Sequence, residues 1–147
     1  FKKGDKSNMT NYRPISVLSC INKIFEKLLH KRLYTYINKL NLFYEFQFGF
    51  REGYSTTMAL TEITDGIKKS LDEKNYVLGI FIDLTKAFDT VDHSILLDKL
   101  NHYGIKGKAN DLFRSYLTNR KQFTQINGVK SPQQSINCGV PQGSVLG

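Results

Sequence analysis

The sequence predicts an α+β fold in which helices pack against a small, mainly antiparallel sheet. The apolar run at 77–82 is rich in β-branched and aromatic residues and is typical of a strand buried on both faces. Asn127-Gly128, between strand-like runs at 122–126 and 133–136, predicts a hairpin. Four further stretches repeat apolar residues at helical spacing: about 20–40, 55–71, 93–103 and 108–118.

Local signals indicate where these helices begin. Ser19 and Ser55 are predicted N-caps, and Asp92 is predicted to cap the helix at 93–103. We expect the apolar stripe of the first helix to be core. The lysines on its other face are either solvated or line a template path: Lys23, Lys27, Lys31 and Lys39.

Residues 41–54 break the helical periodicity and are dense in aromatic side chains, most of which we expect to fill core. Gly49 permits a tight turn and a close backbone approach. Arg51 offers a planar fork to phosphate, and Phe48 or Phe50 offers a ring that can stack on a base. The alternative is a purely structural loop.

The predicted strand ends on a carboxylate, Asp83. A charge at the end of a buried strand is costly unless something pairs with it, and a divalent cation is one such partner. The alternative is that Asp83 caps the following turn. We interpret Asp89 and Asp92 as local caps and His93 as structural, rather than as metal ligands.

The charge balance suggests a polyanionic partner. The 147 residues include 21 Lys and Arg against 13 Asp and Glu, which gives a formal net charge of +8. Without a dense basic tail, such an excess is most simply explained by binding to nucleic acid. A solvated basic face is the alternative.

Composition also bears on the compartment and on completeness. Cys20 and Cys138 form neither a metal-ligand spacing nor a disulfide framework, which favours a reducing intracellular setting. No apolar run approaches the ~20 residues that span a membrane, so we expect no membrane partner. Because the chain starts at Phe1 and ends at Gly147 inside a glycine-rich motif, we expect a fragment of a longer protein.

Three stretches resemble motifs of the reverse transcriptases of non-LTR (LINE-type) retrotransposons, in the family's order. Gln47-Phe-Gly-Phe-Arg-Glu-Gly-Tyr-Ser-Thr56 resembles a motif that precedes a helix. Asp83-Leu-Thr-Lys-Ala-Phe-Asp-Thr-Val-Asp-His93 resembles the first catalytic motif, and Cys138-Gly-Val-Pro-Gln-Gly-Ser-Val-Leu-Gly147 the second palm motif. Asn11-Tyr-Arg-Pro-Ile-Ser16 is similar to a segment of the fingers.

The resemblance implies a partial right-hand polymerase, with fingers and an incomplete palm. Residues 1–75 are then the fingers region. Residues 76–147 are the first part of the palm, with an inserted helical and hairpin segment at about 94–137. The implied activity is that of an RNA-directed DNA polymerase with two Mg²⁺ ions. Its implied partners are an RNA template, a DNA primer and deoxynucleoside triphosphates, and its expected location is the nucleus.

The resemblance also implies roles for single residues. Asp83 is expected to be the catalytic, Mg²⁺-binding carboxylate and to approach Gln142 across a cleft. The implied nucleotide-binding residues are Arg13, Arg51, Leu84, Phe88, Pro141, Gln142 and Gly143, with Phe88 under the sugar. The implied template or primer contacts are Gly49, Phe50 and Gly139. For Arg13, a surface ion pair is the alternative.

The sequence departs from the family's pattern in its carboxylates. The family takes two more metal ligands from a Tyr/Phe-x-Asp-Asp motif, and no Asp-Asp pair occurs in these 147 residues. We therefore expect that this polypeptide alone does not polymerise DNA. One alternative function is a non-catalytic RNA-binding remnant of a truncated element. Another is a purely structural fragment.

Overall fold

The computed structural model describes residues 1, 3–13 and 15–146. Because a proline restricts the residue before it, Pro14 predicts an extended backbone at Arg13. Pro14 itself and Gly147, the last residue of the glycine-rich motif, lie outside the described residues. The helices are α1 (Cys20–Lys39), α2 (Thr56–Asp72), α3 (His93–His102) and α4 (Lys108–Leu117), with a short 3-10 helix at Met9–Asn11. The strands are β1 (Lys121–Gln122), β2 (Gln125–Ile126), β3 (Val129–Lys130) and β4 (Gln134–Ser135). The α+β class is confirmed in this form.

The predicted N-caps are confirmed. Ser19 Oγ accepts the N–H of Asn22 at 3.2 Å, and Ser55 Oγ accepts the N–H of Met58 at 3.3 Å. Asp92 Oδ1 accepts two N–H groups of the first turn of α3, at 2.8 and 3.0 Å. Each cap satisfies N–H groups that have no partner within the helix, which is why the helices begin where short polar side chains precede apolar periodicity.

The chain forms two compact units, Phe1–Leu33 with Leu84–Gly147, and Tyr34–Asp83. We refer to these as unit 1 and unit 2. The predicted division into fingers and palm follows different boundaries and stays a prediction.

The core of unit 1 lies where α3 packs against α4. Leu97, Ile105 and Leu117 are its buried apolar residues. The amide of Asn110, also buried, donates to the carbonyls of Leu97 at 2.9 Å and Ile105 at 3.2 Å. These bonds tie α4 to a carbonyl within α3 and to a carbonyl in the turn after it, so a buried polar side chain closes the helix–turn–helix.

The hairpin forms around the predicted Asn127-Gly128 turn, which is confirmed. β2 pairs with β3 next to this turn, and β1 pairs with β4 further out, both antiparallel. The strands are shorter than predicted because Pro132 has no N–H to donate and Ser131 Oγ takes the N–H of Thr124 at 3.0 Å. The ladder is therefore interrupted between its inner and outer pairs.

The predicted strand at 77–82 was wrong. These residues have no strand in the structure, and Leu78, Phe81 and Ile82 have exposed fractions of 86%, 92% and 85%. A strand needs backbone hydrogen bonds to a neighbouring strand, and no described segment pairs with this run. The predicted sheet with helices packed on it is likewise absent from the described residues, where the sheets are two-stranded and α3 packs on α4.

The predicted apolar cores of α1 and of the 41–54 loop were also wrong in part. Ile21, Ile24 and Leu28 are exposed along the stripe of α1. In the loop, Phe46 and Phe50 are exposed. An amphipathic stripe is buried only where another layer covers it, and among the described residues no helix or strand packs along this stripe of α1.

No helix in the described part of the chain is long and apolar enough to cross a membrane.

Candidate functional site

Two segments that are about fifty residues apart in sequence meet in unit 1. We call this contact between residues 86–92 and 138–142 the loop junction. The N–H of Gly139 donates to the Val91 carbonyl and the N–H of Val140 to the Phe88 carbonyl, both at 2.7 Å. Asp92 and Cys138 form an isolated antiparallel bridge beside them. The junction therefore joins the motif that begins at Asp83 to the glycine-rich motif through backbone hydrogen bonds.

Gly139 is the point of closest approach in the junction. It is buried, with φ of +83°, and a Cβ atom built there would lie 2.8 Å from the carbonyl oxygen of Asp89 and 2.9 Å from its Cα. Residues with a side chain rarely adopt this φ, and the backbone atoms of Asp89 cannot easily move away to make room for a Cβ atom. A glycine is thus required here by both conformation and space.

Gln142 is tied to two other segments. Its Nε2 donates to Asp89 Oδ1 at 3.2 Å, and its backbone carbonyl accepts the N–H of Ser16 at 3.1 Å. Asp89 therefore does not act as a local cap, as the sequence suggested; it positions the glutamine amide. Sequence reasoning missed this role because the partner lies 53 residues away.

His93 and Asp92 stabilise the same junction. His93 Nε2 lies 2.8 Å from the Gly139 carbonyl oxygen, and because a carbonyl only accepts, Nε2 must carry the proton. Two hydrogen bonds hold the pKa of Asp92 below its ordinary value: the larger effect comes from the hydroxyl of Ser94, and the next from the N–H of Ile95. The predicted structural role of His93 and the predicted cap at Asp92 are both confirmed.

Arg51 is engaged by its own loop in unit 2. Its guanidinium carbon lies 3.9 Å from the ring centroid of Tyr54 and 5.1 Å from that of Phe43. Nη1 donates to the carbonyls of Tyr44 at 3.2 Å and Gln47 at 3.4 Å. Its Nε is buried with no hydrogen-bond partner among the described residues. The side chain holds the aromatic loop together, and its role as a phosphate contact stays a prediction.

The structure brings some of the predicted site residues together within unit 1. Phe88, Gly139 and Gln142 all belong to the loop junction, and Pro141 and Gly143 flank the glutamine. Exposed Arg13 and Leu84 also belong to this unit.

The remaining predicted site residues belong to unit 2: Gly49, Phe50, Arg51 and Asp83. Asp83 is exposed. Because Asp83 and Gln142 belong to different units, their approach across a cleft stays a prediction.

The described residues do not assemble a metal site by themselves. Nowhere in residues 1, 3–13 and 15–146 do three or more His, Cys, Asp or Glu side chains come together in a way that could hold an ion. Mg²⁺ takes oxygen ligands, and a single exposed carboxylate such as Asp83 supplies too few of them.

The family profile described as reverse transcriptase (RNA-dependent DNA polymerase) matches residues 1–147. The chain therefore belongs to the reverse transcriptase family, and the resemblance seen in its motifs is confirmed.

The chain is 36% identical over 143 residues to the probable RNA-directed DNA polymerase from transposon BS of Drosophila melanogaster. It is 35% identical over 141 residues to the RNA-directed DNA polymerase from mobile element jockey of the same fly. These alignments cover 93% and 96% of this chain but 15% of each relative. The chain thus spans about 15% of the length of the curated relatives it matches. No solved structure matches it significantly.

Proposed function

We propose that this chain is the fingers and first palm segment of an RNA-directed DNA polymerase of a non-LTR retrotransposon. In this proposal the loop junction forms the wall of the nucleotide site. The observation that carries it is the set of hydrogen bonds that Gly139, Val140 and Gln142 donate to Val91, Phe88 and Asp89 respectively, across about fifty residues of sequence. Arg13, Arg51, Leu84, Pro141 and Gly143 complete the proposed nucleotide contacts, and Gly49, Phe50 and Gly139 the template or primer contacts.

The side chains at the loop junction are suited to contacting a nucleotide. Phe88 and Gln142 are both half-buried, so each has a face in the wall and a face available to a ligand. An aromatic ring supplies stacking or packing area, and an amide supplies a donor and an acceptor. Asp89 holds the amide by one N–H, which fixes its orientation before a nucleotide arrives.

In this proposal the ligands of the catalytic metal come partly from this chain and partly from the rest of the polymerase. We propose Asp83 as one Mg²⁺ ligand, with the other carboxylates supplied from outside these 147 residues, since no Asp-Asp pair occurs within them. This chain's own residues bind and orient the nucleotide and template. Alone, we expect it not to incorporate nucleotides. A nuclear location is part of the same proposal.

The test is RNA-templated primer extension by the full natural polypeptide that carries this chain. The unaltered protein should incorporate deoxynucleotides, and Phe88→Ala should raise the KM for the nucleotide about tenfold, since aromatic contacts with bases and sugars are worth ~1–3 kcal/mol. The matched control is Phe46→Ala, an exposed ring outside the proposed site. Equal KM values for the Phe88 and Phe46 variants would contradict the proposed nucleotide wall.

A second function, non-catalytic RNA binding, is favoured by the distribution of charge. Residues 112–146 contain no Asp or Glu, whereas they carry the basic residues Arg114, Arg120, Lys121 and Lys130. At the hairpin, the Lys130 ammonium lies 5.2 Å from the ring centroid of Phe123, which is 44% exposed. A basic surface with an exposed ring is suited to single-stranded nucleic acid.

RNA binding by the chain alone tests this second function. Affinity should fall steeply with salt, be unchanged in Asp83→Asn, and weaken in Lys121→Ala and Lys130→Ala. Lys68→Ala is the matched control, because that exposed lysine sits 3.9 Å from Asp65 on α2. Binding that is undetectable at low salt would contradict this function and favour a purely structural fragment.

A further inference from the structure

Glu26 of α1 is completely buried, with an exposed fraction of 0%, although the helix around it is largely exposed. Burying a carboxylate removes its hydration and costs several kcal/mol unless hydrogen bonds replace the lost water. In this loosely packed part of the molecule, such burial implies specific partners.

Three donors replace that water. Tyr116 Oη donates to Glu26 Oε1 at 2.7 Å, and Asn22 Nδ2 donates to the same oxygen at 3.2 Å. The backbone N–H of Val145 donates to Oε2 at 2.8 Å. Both carboxylate oxygens therefore accept hydrogen bonds from the protein. No Lys or Arg among the described residues pairs with it.

The bond to Val145 spans 119 residues and reaches the glycine-rich motif two positions after Gly143. The loop junction holds the other end of this motif, through Gly139 and Gln142. The turn between Gln142 and Val145 is therefore held at both ends, with Glu26 on one side and Asp89 on the other.

Tyr116 links the same carboxylate to α4. The pKa of Tyr116 is raised, mainly by burial of the phenol and secondly by its hydrogen bond to Glu26. The guanidinium carbon of Arg120 lies over the Tyr116 ring, 4.9 Å from its centroid. Helices α1 and α4 thus share one partly buried hydrogen-bonded cluster with the glycine-rich motif.

We propose that Glu26 is a positioning residue that fixes the Gln142–Val145 turn in the geometry that receives the incoming nucleotide. This inference rests on the proposed function. Glu26 does not contact the nucleotide in this proposal. It accepts the Val145 N–H, and so it holds the backbone from which the Gln142 side chain reaches the site.

Hydrogen exchange of the 147-residue chain tests the anchoring. In Glu26→Gln, an NH2 group replaces one carboxylate oxygen and the negative charge is lost. The N–H of Val145 therefore loses its charged acceptor. Exchange of amides 142–146 should quicken about tenfold, the factor expected for one lost charge-assisted hydrogen bond. Glu62→Gln, an exposed glutamate of α2, is the matched control. Unchanged exchange at 142–146 in Glu26→Gln would contradict the anchoring.

Steady-state kinetics of the full natural polypeptide test the positioning. Glu26→Gln should raise the KM for the deoxynucleotide about tenfold with a smaller change in kcat, measured below the melting temperature of the variant. If Glu26→Gln does not fold, Tyr116→Phe, which removes one donor to the same carboxylate, should raise KM in the same direction.

The outcomes separate this inference from the proposed function. Faster exchange with an unchanged KM would overturn the inference, because Glu26 would then stabilise the fold without positioning a nucleotide site. An unaltered polypeptide that fails to incorporate nucleotides would contradict the proposed function. The positioning role of Glu26 would then be contradicted as well. Exchange at 142–146 would still decide whether Glu26 anchors the turn.

Discussion

Replacement of Gly139 by alanine is the most direct physical test of the loop junction. Alanine at φ +83° costs about 1–2 kcal/mol from conformation alone. Its Cβ would also lie 2.8–2.9 Å from backbone atoms of Asp89, so the junction must open. Opening disrupts the two 2.7 Å hydrogen bonds to Val91 and Phe88, which together are worth a further ~1–3 kcal/mol.

Gly128→Ala separates these two contributions. Gly128 has almost the same φ, +84°, but nothing lies within 4 Å of a Cβ atom built there. Urea unfolding of both variants, followed by circular dichroism, should show that Gly139→Ala lowers the free energy of unfolding by ~1–3 kcal/mol more than Gly128→Ala does. Equal losses in the two variants would refute the close approach at Asp89.

Three further predictions concern unit 1. Asn110→Ala removes the two hydrogen bonds that the buried amide donates to the carbonyls of Leu97 and Ile105, and should lower the free energy of unfolding by ~1–3 kcal/mol in urea titration. Asp92→Ala removes an N-cap and should lower the melting temperature by about 2–4 °C in a thermal scan. Because the folded pKa of Asp92 is lowered, its contribution is present above the unfolded pKa near 3.8 and is lost as pH falls through the folded value, so the two proteins should converge in acid. The pKa of Tyr116 is raised, so its contribution is present below the unfolded pKa near 10.0 and is lost as pH rises through the folded value. Melting temperatures above pH 10 should therefore fall less in Tyr116→Phe than in the unaltered chain, and parallel curves would contradict this assignment.

The sequence predicted the helices well because their signals are local. Ser19, Ser55 and Asp92 accept hydrogen bonds from N–H groups two or three residues away, and they mark where the helices begin. The apolar spacing within each segment indicates how far each helix extends. The Asn127-Gly128 turn was predictable for the same reason. Each of these features depends on a few neighbouring residues.

The errors lie where structure depends on distant partners. The run at 77–82 has the composition of a buried strand, but without a pairing strand it stays exposed. Asp89 resembled a local cap, and only the fold revealed Gln142 as its partner. Glu26 was not predicted to have any role, because no local signal indicates its bond to Val145, 119 residues away.

We propose that this chain carries part of a polymerase site in which Asp83 is one of the metal ligands. RNA-templated nucleotide incorporation by the full natural polypeptide tests this role, with Asp83→Asn compared with Asp98→Asn. Asp98 is an exposed aspartate of α3 outside the proposed site. We predict that Asp83→Asn lowers incorporation at least about a thousandfold, as expected when a ligand of a catalytic metal is lost, while Asp98→Asn leaves it unchanged. Incorporation at the unaltered rate in Asp83→Asn would contradict the role of Asp83 as a ligand of the catalytic metal.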